Sequence, residues 1–143
     1  MTQKLYMGEM VTLKKGLAAI ALSAGASNGD AIDRTGMMAC KMHVSTGAAT
    51  GTPTSFTVIT KLQDSADGTT FADFTDPVSG SVPTVPTVTA VDSEAELAVN
   101  LLGARQYIRT VTTVAFVGGT TPTLVCAPLF VLGGADEEPA VAV

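Results

Sequence analysis

The sequence predicts an all-β chain: an antiparallel two-sheet sandwich, of which the jelly roll is one form, with an extended N-terminal arm. Three observations predict it. Apolar residues make up 46% of the 143, but much of that share is Ala and Val mixed with Thr, Gly and Pro, which favours short strands and turns over long helices. Runs with period-two alternation recur between Gly- or Pro-rich breaks, about seven to nine of them by the run-and-turn pattern. The third observation is a hairpin. Phe56-Thr57-Val58-Ile59-Thr60-Lys61-Leu62 has the β-branched and aromatic content of a strand, with Phe56, Val58 and Leu62 on one face. A polar loop closing on Asp67-Gly68 turns it into a return strand that begins at Phe71 and Phe74. Glycine at 68 supplies the positive φ of a tight reversal, and the Asp67 side chain can cap nearby N–H groups.

The chain divides into an arm (residues 1–15), a sandwich domain (16–134) and an acidic tail (135–143). At this length one domain buries roughly two-thirds of the surface its unfolded chain exposes. In the arm, Leu5, Tyr6, Met7, Met10, Val11 and Leu13 stand among Lys4, Lys14 and Lys15 and fit neither period, so it is read as an extended arm or an irregular edge strand. Gly16–Ala24 is apolar throughout and short, a buried strand or a brief helix. Lys14-Lys15 before that run imitate a targeting signal, but the run is short and Glu9 lies in the leader. Gly25–Gly36, with Ser27-Asn28-Gly29-Asp30, reads as a loop.

Met38, Cys40, Met42 and Val44 then alternate with Ala39, Lys41 and His43, the pattern of a half-buried strand with His43 turned away from the apolar face. After the hairpin, Pro77, Pro83 and Pro86 exclude a central strand and suit an edge or an exposed loop. Ser93–Leu101 puts Ala95, Leu97, Val99 and Leu101 on one face, and Glu94, Glu96 and Asn100 on the other. Arg105–Val117 is the longest strand candidate. Leu124–Leu132 is apolar on both faces, as in a strand buried on two sides, and Gly133-Gly134 ends it. Asp136-Glu137-Glu138 and Pro139 mark the tail.

The chemistry-bearing residues are few. Asp64, Asp67 and Asp73 could offer oxygens to a hard cation, but their spacing is not that of a calcium loop, and hairpin chemistry accounts for them. His43 is the single histidine, and no nucleophile or ligand grouping surrounds it; Glu94 and Glu96 read as a solvated strand face. Cys40 and Cys126 read as small buried hydrophobes with reduced thiols, able to bridge only if their strands neighbour each other. No enzyme, no metal and no cofactor is therefore expected. Eight basic against thirteen acidic residues give a net charge of −5, which disfavours nucleic acid. No run approaches the ~20 apolar residues of a membrane span. Only 15% of residues are charged, so part of the surface should be buried against further copies or a partner.

Leu62-Gln63-Asp64-Ser65, Asp67-Gly68 and Phe71 resemble a hairpin motif of small structural proteins of tailed bacteriophages, capsid decoration (cement) proteins among them. Ala104-Arg105-Gln106-Tyr107-Ile108-Arg109-Thr110-Val111 is similar to the way such chains continue. The resemblance covers about a quarter of the chain by these stretches and suits tail, connector and head-completion proteins too. It implies a virion protein made in the host cytoplasm, sitting on the capsid surface and bridging copies of the major capsid protein. A homotrimer, or else a dimer, would match the shell's symmetry. The expected contacts are Lys4, Leu5, Tyr6, Met7, Lys14 and Lys15 of the arm, with Pro83 and Pro86 of the Pro-rich stretch. A head–tail joining or tail component, and a carbohydrate-binding or adhesin-like sandwich, are the alternatives.

Overall fold

The computed structural model describes residues 10–135. In chain order they form β1 (Thr12–Lys15), β2 (Ile20–Leu22), β3 (Gly25–Asn28), β4 (Ile32–Asp33), β5 (Met37–Thr50), β6 (Ser55–Ser65), β7 (Ala72–Asp73), β8 (Glu94–Asn100), β9 (Tyr107–Val117) and β10 (Thr123–Ala135). Two five-stranded antiparallel sheets result. One runs β1-β10-β5-β8 with β2 also on β10; the other runs β3-β9-β6-β7 with β4 also on β9. β1 and β2 thus share one edge position and β3 and β4 another. Counted along the chain as eight positions, the sheets read 1-8-3-6 and 2-7-4-5, which is the strand order of a jelly roll.

Period-two patterning builds the core. Cys40, Met42 and Val44 of β5 face Leu124, Cys126, Phe130 and Leu132 of β10 within one sheet, over Phe56, Val58 and Leu62 of β6 and Ile108 and Val114 of β9 in the other. Each large side chain removed from water here contributes about 1.5–3 kcal/mol. Thr60 and Thr112, both buried, face each other across β6 and β9 with their hydroxyls 3.1 Å apart. One hydroxyl donates to the other, which lets polar side chains enter the core.

Of the two readings of residues 1–15, the edge strand holds for the part that carries Lys14 and Lys15: Thr12–Lys15 pairs with Leu129–Leu132, because Leu13 and its neighbours can complete the β10 edge. Several expectations are corrected. The stretch 25–36 is not one loop, since β3 and β4 both pair with β9. Met37 rather than Met38 is buried; Met37 and Cys40 both point inward although three residues apart, so the alternation slips at the start of β5. β5, not the 105–117 stretch, is the longest strand, and Gly133-Gly134 lie within β10 rather than ending it. β10 is central but buried on one face only. Its even-numbered residues from Leu124 to Leu132 point inward, while Val125 is exposed and Leu129 and Val131 are half-buried on the outside.

β5 and β10 are neighbours, yet Cys40 and Cys126 are free. Cys40 lies opposite Leu132 and Cys126 opposite Thr46. The six-residue offset separates them by roughly 20 Å at about 3.3 Å per strand residue, far beyond a disulfide's reach.

Candidate functional site

The expected contact residues fall into three places. Lys4, Leu5, Tyr6 and Met7 lie outside the described residues, as does the tail beyond Ala135. Lys14 and Lys15 sit on β1, where Lys15 Nζ is 3.3 Å from Asp30, an exposed pair of little energetic weight. Pro83 is buried and Pro86 is exposed, and the stretch between them is no free loop. Leu62 donates its N–H to the Pro83 carbonyl (3.1 Å), Val85 donates to Thr60 (2.8 Å), and Val58 and Val88 exchange both bonds (2.8 and 3.1 Å). The segment therefore lies along β6 as an irregular edge. Prolines fit there because the residues that must donate are Val85 and Val88. The exposed tip is Val78, 87% accessible, on the Asp76-capped turn before Pro83.

The hairpin loop is held by its own polar groups. Ser65 Oγ donates to Asp67 Oδ1 (2.8 Å), which also accepts the N–H groups of Thr69 and Thr70 (2.9 and 2.8 Å). Those backbone bonds from Thr70 and Thr69, with the Ser65 hydroxyl, hold the Asp67 carboxyl well below the usual carboxylate range. Asp73 is held low by Lys61 and Gln63, at 2.8 Å each. Asp64 turns the other way, to the Arg105 N–H (2.9 Å) and guanidinium (2.7 Å). The three acids serve three separate partners rather than converging on a cation, and Arg109 stacks over the Phe71 ring at 4.2 Å.

Gly68 has φ +78°, and a Cβ there would lie 3.4 Å from the Tyr107 ring. Gly68→Val should cost about 1 kcal/mol or more, lowering the melting temperature by roughly 2–4 °C or beyond. Chelator should leave the wild-type melt in place. An unshifted variant would show that the turn does not require glycine, and a chelator-sensitive wild type would restore a cation to the loop.

The outer face of the first sheet offers a surface that the sequence did not single out. Leu13, 65% exposed, borders a shallow cleft of about 290 Å³ with Leu17, Ala19, Ala127, Pro128 and Leu129, and Lys15 at its rim. Beside this apolar strip runs a charged row across β5 and β8: Lys41 to Glu96 at 2.9 Å and His43 Nε2 to Glu94 at 3.0 Å. His43 indeed faces away from the core. The signal for the strip was the second apolar face of β10, which sequence reading assigned to burial.

Reactive chemistry is poorly served. Burial pushes the Cys40 thiol up to about 12 and the Cys126 thiol up to about 11, so both stay protonated near neutrality. Both point into the core, away from His43. Among the described residues no cluster of three His, Cys, Asp or Glu could hold a metal ion, and no helix is long and apolar enough to cross a membrane.

No family model and no curated protein matches the chain. Among solved structures, the PBSX exported protein XepA is similar over 100% of this chain and 43% of its own, at 16% identity and a TM-score of 0.52. The SPBc2 prophage-derived protein YomS is similar over 85% of this chain and 91% of its own, at 11% identity and TM-score 0.40. The infectious bursal disease virus Gt strain structure is similar over 92% of this chain and 34% of its own, at 9% identity and TM-score 0.44. The chain spans less than half the length of XepA. At such identities the likeness to XepA speaks for the fold, and the chain is a two-sheet antiparallel β-sandwich.

Proposed function

We propose that this chain is a structural protein of a tailed-phage virion that binds the outside of the capsid and cements the shell. The observation that carries the reading is the apolar strip on which Leu13 stands exposed beside half-buried Leu17 and Leu129, which flanks the strand that residues 1–9 lead into. A rigid sandwich with an apolar strip beside its N-terminal strand suits a protein that docks on another surface rather than transforming a substrate. The hairpin motif at Leu62–Phe71 and the phage resemblance it carries support the same reading. In it, Leu5, Tyr6 and Met7 add apolar area to the strip, and Lys4 with Lys15, at the rim of the cleft, meets acidic groups of the major capsid protein. Several copies joined in one symmetric assembly make modest single contacts hard to reverse, because all must break together.

Removal of residues 1–9 leaves β1 whole. The truncated protein should keep the wild-type melting temperature and lose co-sedimentation with empty capsids that lack this protein. Leu13→Asp should weaken the same binding about tenfold, since a carboxylate would face the apolar strip. Full binding by both variants would end the cement reading, and binding to isolated tails or connectors instead would move the protein to the head–tail junction.

A further inference from the structure

We propose that β8 is the seam of a two-fold dimer, its free edge pairing antiparallel with β8 of a second copy about Leu97. β8 pairs only with β5 and closes its sheet. At seven residues it is a longer free edge than β1, β2, β3 or β4, none of which exceeds four. On the same side of the sandwich the other sheet is already covered, since β6 carries β7 and the 83–88 segment. Unpaired strand edges are templates for another strand.

The register shows which groups are free. Leu101 donates to Met38 (2.9 Å) and Thr46 donates to Ser93 (2.8 Å), and between them β8 pairs with β5 from Asn100–Ala39 to Glu94–Ser45. The odd-numbered residues of β8 therefore exchange bonds with β5. In an antiparallel ladder the alternate residues point their N–H and C=O the other way. The backbones of Glu94, Glu96, Ala98 and Asn100 thus aim at the open side, and among the described residues nothing accepts or donates there.

The pleat allows only even-with-even pairing across that edge. Centred on Leu97, the pairs are Glu94 with Asn100 and Glu96 with Ala98, each occurring twice by symmetry. All four free residues are used and no carboxylate faces another. Centring on Glu96 sets Glu96 against itself, centring on Ala95 sets Glu94 against Glu96, and centring on Ala98 leaves Glu94 unpaired. The strand is self-complementary in one full register, so a second copy is the partner it fits. On the inner side the two Leu97 side chains meet at the two-fold axis. Leu97 is half-buried in one copy and borders an open cavity of about 310 Å³ with Val82, Pro83 and Val99. The pairing covers that cavity and joins two five-stranded sheets into one. It selects the dimer rather than the trimer among the assemblies that the composition allows, and it holds whatever surface the assembled protein binds.

The test is sedimentation of the full chain across the micromolar range, with three substitutions at Ala98. Ala98→Pro removes an N–H that β5 does not use, and should give a monomer with wild-type circular dichroism. Ala98→Glu faces Glu96 of the second copy twice and should weaken the dimer about fivefold, while Ala98→Lys should tighten it about fivefold. If the proline variant unfolds, the Glu and Lys pair decides alone. A wild type monomeric at every concentration, an oligomer indifferent to all three changes, or Glu and Lys shifting the dimer in the same direction would each overturn the proposal.

Discussion

Gly119→Ala should lower the stability of this protein by about 3 kcal/mol, a fall of roughly 6–12 °C in melting temperature for a chain of this size. Two separate terms make the effect large. Gly119 sits at φ +83°, a conformation that costs an L-residue about 1–2 kcal/mol, and an added Cβ would come within 2.5 Å of the Gly51 carbonyl oxygen and 3.0 Å of Pro53 Cα. Those contacts are backbone and cannot rotate aside. The approach arises because the β5–β6 turn and the β9–β10 turn interlock: Thr120 donates to Gly51 (2.9 Å) and Thr54 donates to Val117 (2.7 Å). Gly80→Ala is the control, since Gly80 has φ +70° but no atom within 4 Å of its Cβ position. It should lose about 1 kcal/mol. Equal losses from the two variants would mean that the turns do not press on each other.

Asp64→Ala should cost about 2–3 kcal/mol, because it leaves the Arg105 N–H and guanidinium without the carboxylate that holds them. Asp64 is 5% exposed, whereas Arg105 reaches water and can be rehydrated, which keeps the loss below that of a fully buried pair. The same bonds set a pH dependence. Burial raises the Asp64 pKa, but the hydrogen bonds from the Arg105 side chain and backbone, together with its charge, outweigh this and leave it below the ordinary value. A carboxyl whose folded pKa is depressed contributes stability that is present above the unfolded value near ~4 and lost as pH falls through the folded value. The wild-type melting temperature should therefore drop below about pH 4, and Asp64→Asn should flatten that drop. An identical acid profile in wild type and variant would assign the acid sensitivity to other groups.

Asp64 also marks the border between what sequence and structure reveal. The alternation of Phe56, Val58 and Leu62 predicts β6 and its inward face, but Asp64 falls on that same face and is buried too. Its partner, 41 residues away, has no local signature. His43 was placed on the correct face by period two alone, whereas its pairing with Glu94 depends on β5 and β8 becoming neighbours. Pro83 was read as exposed because proline is excluded from central strands; that rule holds, yet an edge-lying segment can bury a proline against the next strand. The short strands β3 and β4 escaped notice because two to four residues carry too little periodicity to register, and only β9 gives them a partner.

Sequence by itself determined the all-β class, the hairpin, the glycine turn at Gly68 and the inward faces of β6 and β8, since these rest on φ preferences and period-two burial, which are local. Tertiary structure alone decided the jelly-roll order, the offset that keeps Cys40 from Cys126, the covered edge at β6 and the open one at β8. It also decided that the second apolar face of β10 is left as a half-exposed strip rather than a buried layer. The physical reason is common to all of these. Which strand neighbours which, and in what register, is set by the joint packing of segments distant in sequence, whereas a strand's own residues specify only that it has two faces and which of them is the more apolar.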